Sequence, residues 1–166
     1  MWNDRNGRYF LVAVACAAGF VWASGQSMPD VVASHFAAGG AANGYMPRAV
    51  YVLFMLFFVI ALPALMVFIT WRSLERPGAR INLPHREYWL APERRGQTVT
   101  RIRAGVLQFS AMLLVFLCYA HWLVVRANRS QPVRLDESWF LGGLLVFLAA
   151  ALFWALGFVR QFRRVS

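Results

Sequence analysis

Lysine is absent from this 166-residue chain, and charged residues of any kind make up only 14% of it, against about 25% in an average soluble domain. All 17 basic residues are arginines, and there are seven acidic ones. Cysteine is scarce too: Cys16 and Cys118 both fall inside apolar runs, with no CxxC, CxxCH or zinc-type spacing. Both read as small packing residues. No GxSxG, HExxH or P-loop occurs, and the carboxylates are scattered among termini and loops. Acid–base and nucleophile pairs are therefore missing. The expectation is a protein that is not an enzyme, with no catalytic residue, no metal site and no cofactor.

What the chain has instead is apolar length. Hydrophobic residues make up 60% of it and gather in four blocks, 9–24, 49–71, 104–125 and 139–159, none with a charged side chain. Runs of this kind read as membrane spans, because a hydrocarbon core of about 30 Å takes about 20 residues of helix. The four spans occupy most of residues 1–166, so a single membrane domain is expected, with an outer cap at 26–48 and an inner loop at 72–103. The fold class is all-α, an integral membrane four-helix bundle. The first span has a second reading as a cleaved signal peptide, since Arg5 and Arg8 precede it and Ala23-Ser24-Gly25 follows. Ala15, Gly19 and Ala23 at four-residue spacing favour a retained, closely packed span.

Arginine placement sets the orientation. Two arginines precede the first span, eight lie between Arg72 and Arg103, and three follow the last span; four spans put these thirteen on one face. The other face has Arg48, Arg126, Arg129 and Arg134. The positive-inside rule places both termini and the 72–103 loop in the cytoplasm. The net charge of +10 would suggest nucleic-acid binding in a soluble protein. Here the arginines flank apolar blocks, so the lipid bilayer, not nucleic acid, is the expected partner. Trp22, Tyr51, Trp71, Trp122 and Trp139 near span ends suit an interfacial belt. Pro63 removes a backbone donor inside span two and predicts a kink.

Two loops carry more information than the spans. In "MPDVVASHFAAGGAANGYMPR", Pro29 and Asp30 suit a helix start. Val31, Val32, His35 and Phe36 then share a helical face, Gly39-Gly40 would stop the helix, and Asn43-Gly44 would supply a turn. A short extracytoplasmic cap helix is expected, with His35 buried and hydrogen-bonded to His121, Tyr119, Asp136, Glu137 or a nearby carbonyl. The candidate outer-cap pocket is Pro29, Asp30, His35, Gly39, Asn43, Gly44 and His121. In the inner loop, Pro77-Gly78 breaks the end of span two. Pro84 and Pro92 bracket "HREYWLA", which is apolar enough to lie at the membrane surface. Pro92-Glu93 starts a helix expected to run unbroken into span three.

These two stretches resemble the signature of an uncharacterised bacterial multi-pass membrane domain: a Pro, a His-Phe pair, a Gly, an Asp-Gly turn and a basic residue before the next span. The inner loop is similar through Asn82, Pro84, Tyr88, Trp89, Leu90, Pro92, Glu93 and Arg94. The same domain occurs in the N-terminal part of Sdp-type immunity proteins, which protect producers of a sporulation-delaying toxin. The resemblance implies fold and membrane location rather than mechanism. Asn43 stands where an Asp is usual and Ala37 where a polar residue often follows His-Phe, which weakens any ligand role for this copy.

Two function classes follow. The first is a non-enzymatic interaction protein (immunity, sensor or accessory subunit) with a membrane-protein partner or a second copy of itself. The alternative is a small transporter or channel component, which usually keeps ionisable groups within its spans; here only His121 qualifies. The topology is directly testable. A reporter active only in the cytoplasm should work when fused at Ser166 or within 76–97 and fail within 37–43; the reverse pattern would overturn the charge argument.

Overall fold

The computed structural model describes residues 5–76 and 81–163. Helices α1 (Arg5–Gly25), α2 (Arg48–Glu75), α4 (Pro92–Asn128) and α5 (Glu137–Arg163) are joined by strands β1 (Val31–Phe36) and β2 (Ala42–Pro47) and by a single turn, α3 (Arg86–Trp89). The four long helices are each long and apolar enough to cross a membrane, which makes the chain a multi-pass membrane protein. They contain the four blocks read from the sequence. α2 continues through Pro63, and the Pro77-Gly78 break lies outside the described residues.

Helices α1, α2 and α4 pack against one another, and α5 is added on α4. The interior is layered. Val21, Val32, Tyr51, Val59, Leu114 and Val125 fill the end nearest the strands, Phe10, Val67, Trp71 and Leu107 the middle, and Leu74, Ile102 and Phe162 the arginine-rich end. In α5 only Phe162 is fully buried, while Val146 and Phe153 are 70% and 75% exposed. Those side chains are at home in lipid, which is as apolar as they are.

Backbone proximity between α4 and α5 rests on two glycines. A Cβ on Gly105 would come within 2.4 Å of the Phe158 ring, and one on Gly143 within 2.1 Å of the Tyr119 ring. Each helix thus offers a hollow to an aromatic knob of the other, the small-residue packing that membrane helices favour.

At the arginine-rich end the loop is packed down. Ile81, Leu83 and Trp89 lie against Leu74, Ile102 and Phe162. Trp89 Nε1 donates to the Phe162 carbonyl at 2.8 Å, and Thr98 Oγ1 donates to the Trp89 carbonyl at 2.8 Å. Arg94 stacks over Tyr88 at 4.0 Å and Arg101 over Trp89 at 5.5 Å. α4 starts at Pro92 with Glu93 in its first turn and runs 37 residues without a break, about 55 Å at 1.5 Å per residue. It therefore extends well past a hydrocarbon core of about 30 Å.

The segment between α1 and α2 departs from expectation. It is an antiparallel β-hairpin, not a cap helix. Val31-Val32 is a β-branched pair suited to a strand. Gly39 and Gly40, both at φ +80°, form the hairpin turn instead of ending a helix. Asn43 and Gly44 lie inside β2.

Trp89 joins the loop, the start of α4 and the end of α5. Trp89→Ala should accelerate protease cleavage between residues 81 and 91 severalfold in detergent. Unchanged cleavage would mean that the packed loop does not depend on this anchor.

Candidate functional site

The hairpin and the segment joining α4 to α5 make one cap over the end of the bundle, held by three anchors. The first is Asn128, the last residue of α4 and only 8% exposed. Its Oδ1 accepts the Ala33 N–H at 2.7 Å, and its Nδ2 donates to the Ala33 and Val124 carbonyls at 2.9 Å each. Both polar groups of Ala33 therefore face out of the ribbon toward α4, which makes Ala33–Tyr45 a non-hydrogen-bonded cross-strand pair. A carboxamide offers the same donor and acceptor as a peptide unit. Asn128 completes the β1 edge as a third strand would.

The second anchor is the hairpin tip. The Gly40 N–H donates to the Ala37 carbonyl at 2.9 Å, and the Gly40 carbonyl accepts the Leu135 N–H at 2.8 Å. A Cβ on Gly40 would sit 1.9 Å from the Leu135 carbonyl oxygen. Positive φ and this contact together admit only glycine. Beside it, Arg134 Nε donates to the Gly39 carbonyl at 2.8 Å, and the Gly39 N–H donates to Glu137 Oε2 at 2.9 Å.

The third anchor is Arg48, at the hairpin's return into α2. Its guanidinium pairs with Asp30 at 3.0 Å and donates to the Met28 carbonyl at 2.7 Å, while its N–H donates to the Asp30 carbonyl at 2.8 Å. The Asp30 carboxylate is largely in solvent, where an ion pair contributes little. The backbone bonds fix the corner.

Beneath the cap lies a buried polar chain. His121 is fully buried, with Nε2 2.9 Å from Ser24 Oγ and Nδ1 3.0 Å from the Tyr51 hydroxyl. Ser24 Oγ donates its single hydrogen to the Phe20 carbonyl at 2.6 Å, so it must accept from Nε2–H. In the neutral ring Nδ1 then carries no hydrogen and accepts from Tyr51. One imidazole thus links α1, α2 and α4, with both nitrogens engaged, the Tyr51 ring near-parallel to it at 5.7 Å and the Phe20 ring near-perpendicular at 5.8 Å.

The residues expected to form an outer-cap pocket are dispersed. Pro29 is exposed at the entrance to β1, and Asp30 is engaged with Arg48. Asn43 is exposed on β2, Gly39 borders the cleft beside Arg134, and His121 is sealed inside. His35 is exposed, contrary to expectation; its Nδ1 is 3.0 Å from Ser34 Oγ, and its ring lies over Gly44. The reason is the change from helix to strand. Register shifts flank His35, and the strand buries Val32 and Ala33 while His35 faces outward. In the arginine-rich loop, Asn82 and Arg94 are exposed, Pro84, Tyr88 and Trp89 are half-buried, and Pro92 and Glu93 occupy the first turn of α4. Among the described residues, no group of three His, Cys, Asp or Glu side chains comes together.

Asn128, Tyr51 and Ser24 were not singled out from the sequence as site residues. The available signal was a carboxamide or hydroxyl at the edge of an apolar run, where a polar side chain needs a partner.

The anchors differ in what they should cost to lose. Asn128→Ala leaves a buried N–H and C=O at Ala33 unpaired, a penalty of about 1–3 kcal/mol. It should lower the unfolding temperature in detergent and abolish hydrogen-exchange protection of the Ala33 amide. His35→Ala should stay within about 0.5 kcal/mol of wild type, as exposed substitutions do.

No curated protein and no solved structure matches the chain. Residues 11–61, which take in most of α1, the whole hairpin and the first half of α2, match the family model DUF1648, a domain of unknown function.

Proposed function

We propose that the protein is a non-enzymatic interaction protein of the bacterial inner membrane, an immunity, sensor or accessory subunit, acting through the hairpin cap and the arginine-rich loop. The supporting observation is the two-faced character of the hairpin. One face is fixed to the bundle through Val32, while Val31 and Tyr45, both 60% exposed, share the other face with Pro47 by register. A ribbon clamped by three anchors presents these side chains in one conformation, which lowers the entropy cost of binding. The resemblance to the N-terminal part of Sdp-type immunity proteins supports the immunity variant. The arginine distribution supports cytoplasmic termini and an external cap.

The second reading, a small transporter or channel component, draws its support from the Ser24–His121–Tyr51 chain, a polar link inside the bundle of the kind transport pathways use. Its donors and acceptors are already matched to one another, which favours a lock over a path.

Affinity purification in mild detergent followed by mass spectrometry separates the two readings. The interaction reading expects a stoichiometric membrane partner whose recovery falls at least tenfold with the double substitution Val31→Ser and Tyr45→Ser at unchanged protein level. A homo-oligomer around an axial pore, with no second protein, would establish the transporter reading instead.

A further inference from the structure

Toward the cap end an apolar groove of about 730 Å³ runs along the surface of α4 and α5, lined by Met112, Phe116, Tyr119, Gly142, Val146 and Phe147 among others. Ser138 borders both this groove and a polar cleft of about 560 Å³ that holds Arg126, Arg134, Asp136 and Glu137. The combined shape is amphipathic, apolar along the spans and charged at the cap.

The charges in the cleft are balanced but not neutralised by one another. Among the described residues, neither arginine lies within ion-pair distance of either carboxylate. Arg126 is instead held over two indoles, 5.6 Å from the Trp122 ring and 5.8 Å from the Trp139 ring. Its guanidinium keeps its donors for a ligand. Arg134 uses Nε on the Gly39 carbonyl, Glu137 accepts the Gly39 N–H, and Asp136 Oδ1 accepts the Trp139 N–H at 3.2 Å. Each carboxylate retains lone pairs for a further donor.

We propose that this groove and cleft bind one aminophospholipid from the leaflet on the cap side. One acyl chain lies in the groove along α4 and α5, the phosphate meets Arg126 and Arg134, and the primary ammonium meets Asp136 and Glu137. Two cations beside two anions match a zwitterionic head better than a purely anionic one. A primary ammonium can donate hydrogen bonds to the carboxylates, which a quaternary ammonium cannot. Gly142 lines the groove, and a Cβ on it would touch nothing within 4 Å, so a side chain there enters space the acyl chain would fill.

Native mass spectrometry of the full chain, delipidated in detergent and titrated with phosphatidylethanolamine, phosphatidylcholine or phosphatidylglycerol, tests this. One phosphatidylethanolamine should be retained at least tenfold more strongly than either other lipid. Gly142→Leu, which fills the groove, and Arg126→Gln should each weaken retention at least tenfold at a wild-type unfolding temperature. Glu137→Gln keeps an acceptor for the Gly39 N–H and should bring phosphatidylethanolamine down to the level of phosphatidylcholine. Should one variant fail to fold, the headgroup preference of the wild-type chain and the remaining variants still decide. Equal retention of the three lipids, retention unaffected by both Gly142→Leu and Arg126→Gln, or a dimer formed in place of the lipid adduct overturns the proposal.

Discussion

The Asn128 carboxamide on the Ala33 backbone is the contact from which the rest of the cap follows. A two-stranded hairpin is marginal by itself, and a strand edge pressed against a membrane bundle cannot leave its N–H and C=O to water. By standing in for a peptide unit, Asn128 places β1 on the last turn of α4. That position brings the hairpin tip to Leu135 and Glu137. The loop after α4 is thereby held, and with it the start of α5. One amide thus couples the unit formed by α1, the hairpin and α2 to the other half of the chain.

The apolar architecture was legible because lipid enforces it. Four uncharged blocks, the Pro92-Glu93 helix start and the tryptophan between two prolines each follow from local composition, and each has its counterpart in the structure. The hairpin was not legible in the same way. "VVASHF" places its apolar residues compatibly with a helical face, and Pro29-Asp30 before it is an equally good helix start. What decides for the strand lies far away: Ala33 meets its partner 95 residues later, and the Gly40 carbonyl is claimed by Leu135. Periodicity carries no information about such partners. The β-branched pair and the glycine-rich turn were the local clues, and they were weaker than the capping signal.

His35 and His121 show the same limit from the other side. Both are polar residues in apolar surroundings, and the expectation joined them, with His35 buried under the cap and His121 among its partners. The structure buries His121, which meets Ser24 and Tyr51 from two neighbouring helices, whereas the register shifts beside His35 leave its ring on the exposed side of the hairpin. A histidine acquires its role from the elements that surround it, and those are set by topology.

The distribution of satisfied and unsatisfied groups then bears on where the protein acts. Inside the bundle, the His121 chain closes on itself, with each donor matched to an acceptor. Around α5 the position is reversed. That helix is held at its two ends by Trp89 at the Phe162 carbonyl and by the Tyr119 hydroxyl donating to the Trp139 carbonyl at 2.5 Å, and between them by glycine hollows and by the Phe116–Phe147 and Phe109–Trp154 ring contacts. It leaves an open groove below a set of charges that do not pair with one another. A matched chain of this kind resists change, since any new partner must displace one already in place. Binding capacity is concentrated where partners are missing, along the α4–α5 groove and on the outward face of the hairpin, and the two sites share the 134–137 segment that braces both.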